Sequence, residues 1–215
     1  HKAYMMVEGL LERGTDVFTF ESQFIADRFT AEVGQTDKLV RIVLNGLYPH
    51  EFEPRLLVDD PTDIVFIGEL RAAKGIDLLL QALARLKDEG RTVTATIIGG
   101  GPDEAMLTQD LGIADRTVFT GPMIGAEGIR RGRIMVVPSR AESLPYIVLE
   151  AVAAQVPLVT TGCGGIPEIV GKDYRWMVPA GERESVLGAL RGALGTTAEA
   201  LGGQAEHLDA AMCRR

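Results

Sequence analysis

Cysteine, histidine, positive charge and long apolar runs are all scarce in this chain of 215 residues. Its two cysteines, Cys163 and Cys213, supply neither a disulfide framework nor the spacing of a zinc site. A reducing cytoplasm is the natural compartment for such a chain. The three histidines, His1, His50 and His207, are scattered along the chain, so no metal-ligand set is expected. No apolar stretch reaches the roughly 18 residues of a membrane span, and no signal peptide is visible. Lys and Arg number 22 against 30 Asp and Glu, a net charge of −8. That balance argues against a nucleic-acid binder, whose affinity comes from displacing phosphate counterions with a positive surface. It leaves membrane contact open, because a basic patch can sit on an acidic protein. The spacing G-x-G-x-x-G is absent as well, which disfavours a dehydrogenase.

What is present is an ordinary balance for an α/β protein, 46% hydrophobic and 24% charged residues. Short β-branched runs alternate with helix-length amphipathic stretches. Strands are expected over Val17–Phe20, Leu39–Leu44, Ile64–Ile67, Val93–Ile98, Val118–Thr120, Ile134–Val137 and Leu158–Thr161. Helices are expected over Gln23–Val33, Ile76–Glu89, Asp103–Leu111, Tyr146–Ala154 and Arg183–Leu194. In the second of these, Leu78, Leu79, Ala82, Leu83 and Leu86 fall on one face. Pro49, Pro54 and Pro61, with Asp59 and Asp60, mark a polar linker. The chain thus divides into 1–60, 61–195 and a tail, 196–215. Repeated strand–helix alternation predicts a Rossmann-like parallel sheet with helices on both faces, preceded by part of a second such domain. Ligands of such sheets bind beyond the carboxyl ends of the strands.

Several motifs stand at those ends. Gly68 follows one strand and leads to Arg71 and Lys74, which without further context read as solvated loop cations. Gly99-Gly100-Gly101-Pro102 allows a tight turn close to a ligand. The run Pro138-Ser139-Arg140-Ala141-Glu142-Ser143-Leu144-Pro145 joins a strand to a helix, with proline suited to the first helical turn. Amides around Ser143–Tyr146 would form an anion site. Glu150 interrupts an apolar helix, where an unpartnered carboxylate costs several kcal/mol. Ribose hydroxyls, a basic side chain or solvent would each relieve that cost. Gly164 and Gly165 admit a ligand near the strand end or merely form a turn, and Glu168 touches that ligand or caps local structure. Cys163 reads as a small filler rather than a nucleophile. Arg130, Arg131 and Arg133 read as a solvated helix end in preference to a phosphate site.

Glu142 and Glu150, with seven residues between them in Glu-Ser-Leu-Pro-Tyr-Ile-Val-Leu-Glu, resemble the Glu-x7-Glu signature of retaining family-4 glycosyltransferases with the GT-B fold. Further segments resemble that family in the same order. They are Ile42-Val43-Leu44-Asn45-Gly46 with Phe52 and Pro54, Gly68-Glu69-Leu70-Arg71-Ala72-Ala73-Lys74-Gly75, Ile97–Pro102, Val118–Gly121 and Gly164-Gly165-Ile166-Pro167-Glu168. The resemblance implies a donor-binding domain that takes a nucleoside-diphosphate sugar and passes a hexose-type sugar to a glycan or lipid-linked acceptor with retention. It implies Arg71 and Lys74 on the diphosphate, Glu150 on the ribose, and Glu142 on the sugar or its developing charge. Ser143, Leu144 and Pro145 would contact phosphate or sugar through backbone. Gly68, Gly100 and Gly165 would let backbone approach the donor, and the segment Val118–Met123, with Phe119 and Met123, would meet the base. No Asp-x-Asp is present, so neither a metal nor another cofactor is expected. Residues 1–60 match only the end of the family's acceptor domain, and the first residue is His1 rather than Met. The expectation is a fragment whose remaining N-terminal domain is its partner, active weakly or not at all alone. A lipid-linked acceptor would place the full enzyme at the cytoplasmic membrane face by peripheral contact. Two alternatives stay open: a noncatalytic nucleotide-sugar-binding module, and a nucleotide-sugar 2-epimerase of the same fold.

Overall fold

The computed structural model describes residues 7, 9, 11, 14–52, 56–101 and 111–196. Two parallel sheets are present among them. The smaller pairs β1 (Val17–Phe20) with β2 (Leu39–Ile42) around helix α1 (Gln23–Glu32). The larger has six strands: β3 (Thr62–Ile67), β4 (Ala95–Ile98), β5 (Thr117–Phe119), β6 (Gly132–Val137), β7 (Leu158–Thr161) and β8 (Met177–Val178). Their spatial order is β5-β4-β3-β6-β7-β8, and all pairs are parallel. The chain winds outward from β3 to one edge, returns, and winds outward from β6 to the other. This is the doubly wound Rossmann order, whose switch point lies between β3 and β6.

Alternation along each strand builds two cores. Ile64 and Phe66 of β3, with Ile134 and Val136 of β6, face helices α2 (Ile76–Asp88) and α6 (Arg183–Leu194). Val65, Met135 and Val137 face the opposite side, with α4 (Tyr146–Ala153) and α5 (Ile166–Val170). A short helix, α3 (Gly125–Gly128), and a 3-10 turn over Ile129–Arg131 lead into β6. All five apolar residues expected on the inner face of α2 are buried, as are Ile76 and Leu80. Each fully buried leucine there contributes about 2 kcal/mol.

β6 begins at Gly132, earlier than its apolar run suggests. A Cβ at Gly132 would lie 2.6 Å from the backbone nitrogen of Val65, so the missing side chain is what lets the two strands meet. Pro145 is not in the first helical turn but one step before it. Its backbone is extended (φ −72°, ψ 123°), and its carbonyl accepts from Val148 N at 3.1 Å. The expected linker contains a 3-10 turn, Pro49–Phe52, and Leu47 and Phe52 pack on the second core. Pro54, the expected helix over Asp103–Leu111 apart from Leu111, and the tail beyond Thr196 lie outside the described residues. Among the described residues, no helix is long and apolar enough to cross a membrane.

Candidate functional site

Apart from Arg130, Arg131 and Arg133, which stand at the start of β6, the motif loops follow the carboxyl ends of the strands. After β3 the chain runs through Gly68 to a 3-10 turn, Ala72–Lys74, closed by Gly75 in the left-handed region (φ 69°). A Cβ at Gly75 would sit 2.0 Å from the Pro138 carbonyl oxygen. The turn therefore lies directly against the end of β6, across the switch point, and delivers Lys74 to Glu142. The ammonium donates to both Glu142 oxygens at 2.8 Å, and Ser139 Oγ donates to Oε1 at 2.6 Å. The Glu142 side chain is only 8% exposed and that of Lys74 25% exposed, so the pair is largely shielded from water. Behind it, the Ser139 carbonyl accepts from Thr161 Oγ1 at 2.5 Å and from Cys163 Sγ at 3.3 Å. Burial pushes the Cys163 thiol up, the opposite of what a nucleophile requires.

Arg140 locks this arrangement, a role its position in the motif did not reveal. Its amide donates to the Ala73 carbonyl at 2.8 Å and its guanidinium to the Ala72 carbonyl at 2.5 Å. The same guanidinium grips Asp77 with two parallel bonds, at 2.6 and 2.7 Å. The loop carrying Glu142 is thus fastened to the turn carrying Lys74. The Arg140 hydrogen bonds hold the Asp77 carboxyl below the usual range, against a smaller opposing effect of burial. A carboxyl with a depressed folded pKa contributes stability above its unfolded pKa and loses it as pH falls through the folded value. Asp77→Asn is expected to lower stability by about 1 kcal/mol at pH 7, and the deficit should shrink below about pH 4. Urea unfolding of both proteins from pH 7 to pH 3 measures it.

Arg71 stands apart from that pair. Its side chain is 56% exposed and bonds Glu69 at 2.8 Å. In the loop after β6, the amides of Ser143, Leu144 and Tyr146 have no acceptor among the described residues, which leaves them available to an anion. Glu150 extends from α4 toward α3, where a Cβ on Gly125 would come 2.5 Å from Oε2. It shares a small cleft with Glu51, Ala126 and Ile129. Of the glycine run, Gly99 and Gly101 are the sterically required members rather than Gly100. A Cβ would stand 1.8 Å from the Gly68 carbonyl at Gly99 and 2.3 Å from the Leu70 carbonyl at Gly101. At Gly100 it would meet only Pro122, at 3.8 Å. Phe119 packs on the first core and Met123 on the second.

The loop after β7 closes the site. Gly164 (φ 61°) tucks under the Glu142 carbonyl, and the Gly165 amide donates to the Ser143 carbonyl at 2.6 Å. Asn45 donates to the Leu144 carbonyl at 2.8 Å from the amino-terminal segment. Glu168 takes the capping role, but far from its own neighbourhood: its carboxylate accepts from the amides of Gln23 and Phe24, at 2.9 and 2.8 Å. Arg130 donates to the Leu56 carbonyl and Arg133 pairs with Asp63, which ties this cluster to local structure. Among the described residues, no group of three or more His, Cys, Asp or Glu is placed to hold a metal ion.

A model of the family described as glycosyl transferases group 1 matches residues 61–195. The chain is 29% identical over 191 residues to the GDP-mannose-dependent alpha-(1-6)-phosphatidylinositol monomannoside mannosyltransferase of Mycobacterium tuberculosis, covering 78% of this chain and 49% of that protein. It is 28% identical over 163 residues to an uncharacterized glycosyltransferase of Methanocaldococcus jannaschii, covering 65% of this chain and 41% of that one. The chain therefore spans less than half the length of these relatives. Two solved structures share its fold. Sucrose-phosphate synthase from Thermosynechococcus elongatus matches with a TM-score of 0.80 at 21% identity, over 96% of this chain and 55% of its own. HepE of Anabaena, in complex with UDP, matches with a TM-score of 0.80 at 17% identity, over 95% of this chain and 62% of its own.

Proposed function

This chain belongs to the glycosyl transferases group 1 family, and from that premise we propose that residues 61–195 bind a nucleoside-diphosphate sugar for a retaining glycosyl transfer. The observation that carries the reading is the shielded Lys74–Glu142 pair at the switch point of the sheet. Transfer breaks the bond from the anomeric carbon to the diphosphate, which leaves with the electron pair. Lys74, with Arg71 swung from Glu69, neutralises that growing charge, and the amides of Ser143, Leu144 and Tyr146 add to it. Glu142 faces the sugar and its positive, oxocarbenium-like transition state. Pro145 shapes the turn into α4, and Glu150 takes the ribose hydroxyls. Gly68, Gly100 and Gly165 give backbone access to the donor, while the backbone at Phe119 and Met123 meets the base edge. The pair of cations supplies what a metal would, so no metal is required.

Relatives support a nucleotide-sugar donor: HepE has been solved with UDP-glucose, and the mycobacterial enzyme is GDP-mannose-dependent by name. Residues 1–60 would be the end of an acceptor lobe, completed in the whole enzyme by a larger N-terminal domain. The acceptor would be a glycan or a lipid-linked sugar, reached in the latter case by contact with a membrane surface. Glu150→Ala tests the ribose assignment. It should weaken the nucleoside diphosphate that binds by about tenfold, the value of one charge-assisted hydrogen bond. The same variant should bind the 2′,3′-dideoxy analogue as wild type does. Calorimetry with both ligands measures it, and undiminished affinity for the ribonucleotide would remove Glu150 from the site.

A further inference from the structure

We propose that Glu168 is a positioning residue that couples the donor site to helix α1, an inference that rests on the donor-site reading above. The first four amides of a helix have no partner within it. In α1 three of them have partners, from two different sources. Ser22, wholly buried, accepts Ile25 N on its hydroxyl at 3.2 Å. The other two, Gln23 N and Phe24 N, depend on the two oxygens of Glu168.

Glu168 is not free to follow α1. It rides on α5 between Ile166 and Ile169, both buried in the core beside β6 and β7. The loop entering α5 is Gly162–Gly165, which is fixed to the Glu142 and Ser143 carbonyls. Where Gly165 passes α1 there is no slack: a Cβ on it would stand 3.1 Å from Ser22 Cβ and 2.5 Å from the Ser143 carbonyl oxygen. Asn45 adds a second tie from the same segment, to Leu144. A ligand that settles on Ser143–Leu144 and Gly164–Gly165 therefore acts on the carboxylate that holds the end of α1. The cap tightens when the donor site fills, and donor affinity depends in turn on α1 being seated.

Hydrogen exchange at the Gln23 and Phe24 amides, in residues 1–215, tests this with whichever of UDP, GDP or ADP binds. Saturating ligand should slow exchange at both amides about fivefold in wild type. In Glu168→Ala the two amides should exchange faster without ligand, and ligand should no longer slow them. Glu168→Gln, which keeps one acceptor oxygen, should fall between. A cap with a purely structural role would protect the amides equally with and without ligand. Bound nucleotide with unchanged wild-type exchange, or slowing that persists in Glu168→Ala, overturns the coupling alone. Failure of all three nucleotides to bind overturns the donor reading and the coupling with it.

Discussion

An Arg71→Ala, Lys74→Ala double variant is expected to bind its nucleoside diphosphate roughly a hundredfold more weakly than wild type, with little change for the bare nucleoside. Each hydrogen bond from a cation to phosphate is worth about 1.5 kcal/mol or more, and two together reach about 3 kcal/mol. The two side chains start from different states, so the single variants should separate. Among the described residues Arg71 pairs with Glu69 on the surface, an exchangeable pair worth at most about 1 kcal/mol. Its loss should reduce affinity and leave stability unchanged. Removing Lys74 also strips Glu142, a nearly buried carboxylate, of its counter-charge and leaves it the hydroxyl of Ser139 among the described residues. Lys74→Ala should therefore weaken binding and lower stability by about 2 kcal/mol as well. Calorimetric titration with diphosphate and nucleoside, beside urea denaturation, separates the two effects. Equal losses for diphosphate and nucleoside would take both residues off the phosphate.

Gly164→Ala should be strongly damaging at the site. The residue has φ 61°, and an added Cβ would stand 2.0 Å from the carbonyl oxygen of Glu142 and 2.6 Å from its carbonyl carbon. Backbone atoms cannot rotate away as a flexible side chain can, so the whole Glu142 loop must retreat from Lys74. A loss of about 3 kcal/mol or more in stability is expected, with loss of diphosphate binding in whatever fraction stays folded. Gly100→Ala is the control. Its Cβ would meet only Pro122 at 3.8 Å, so its stability should stay within about 1 kcal/mol of wild type. Thermal unfolding of the two variants measures the contrast.

The parallel, doubly wound architecture was legible because its strands are short β-branched runs with clean boundaries. Val17–Phe20, Leu158–Thr161 and Arg183–Leu194 form with the limits read from the sequence. The elements that escaped notice are those too short to show a period, α3, α5 and the two-residue β8. Lys74 and Glu142 were legible as members of ordered motifs, since each follows a strand that ends at the same edge. Arg140, Asn45 and the capping role of Glu168 were not. Each acts through hydrogen bonds to residues between 63 and 145 positions away, most of them to backbone groups, and such bonds leave no local pattern. The glycines divide the same way: the run at 99–101 announces a tight turn, but only packing against Gly68 and Leu70 shows which members are indispensable.

Calorimetric titration of residues 1–215 with UDP, GDP and ADP in the presence of EDTA checks whether the carboxyl ends of the strands form a metal-independent site for a nucleoside diphosphate. Saturable one-to-one binding of one of the three, lost in the Arg71→Ala, Lys74→Ala variant, is the predicted result. Binding that appears only when a divalent cation is restored, or that survives the double substitution, would contradict it.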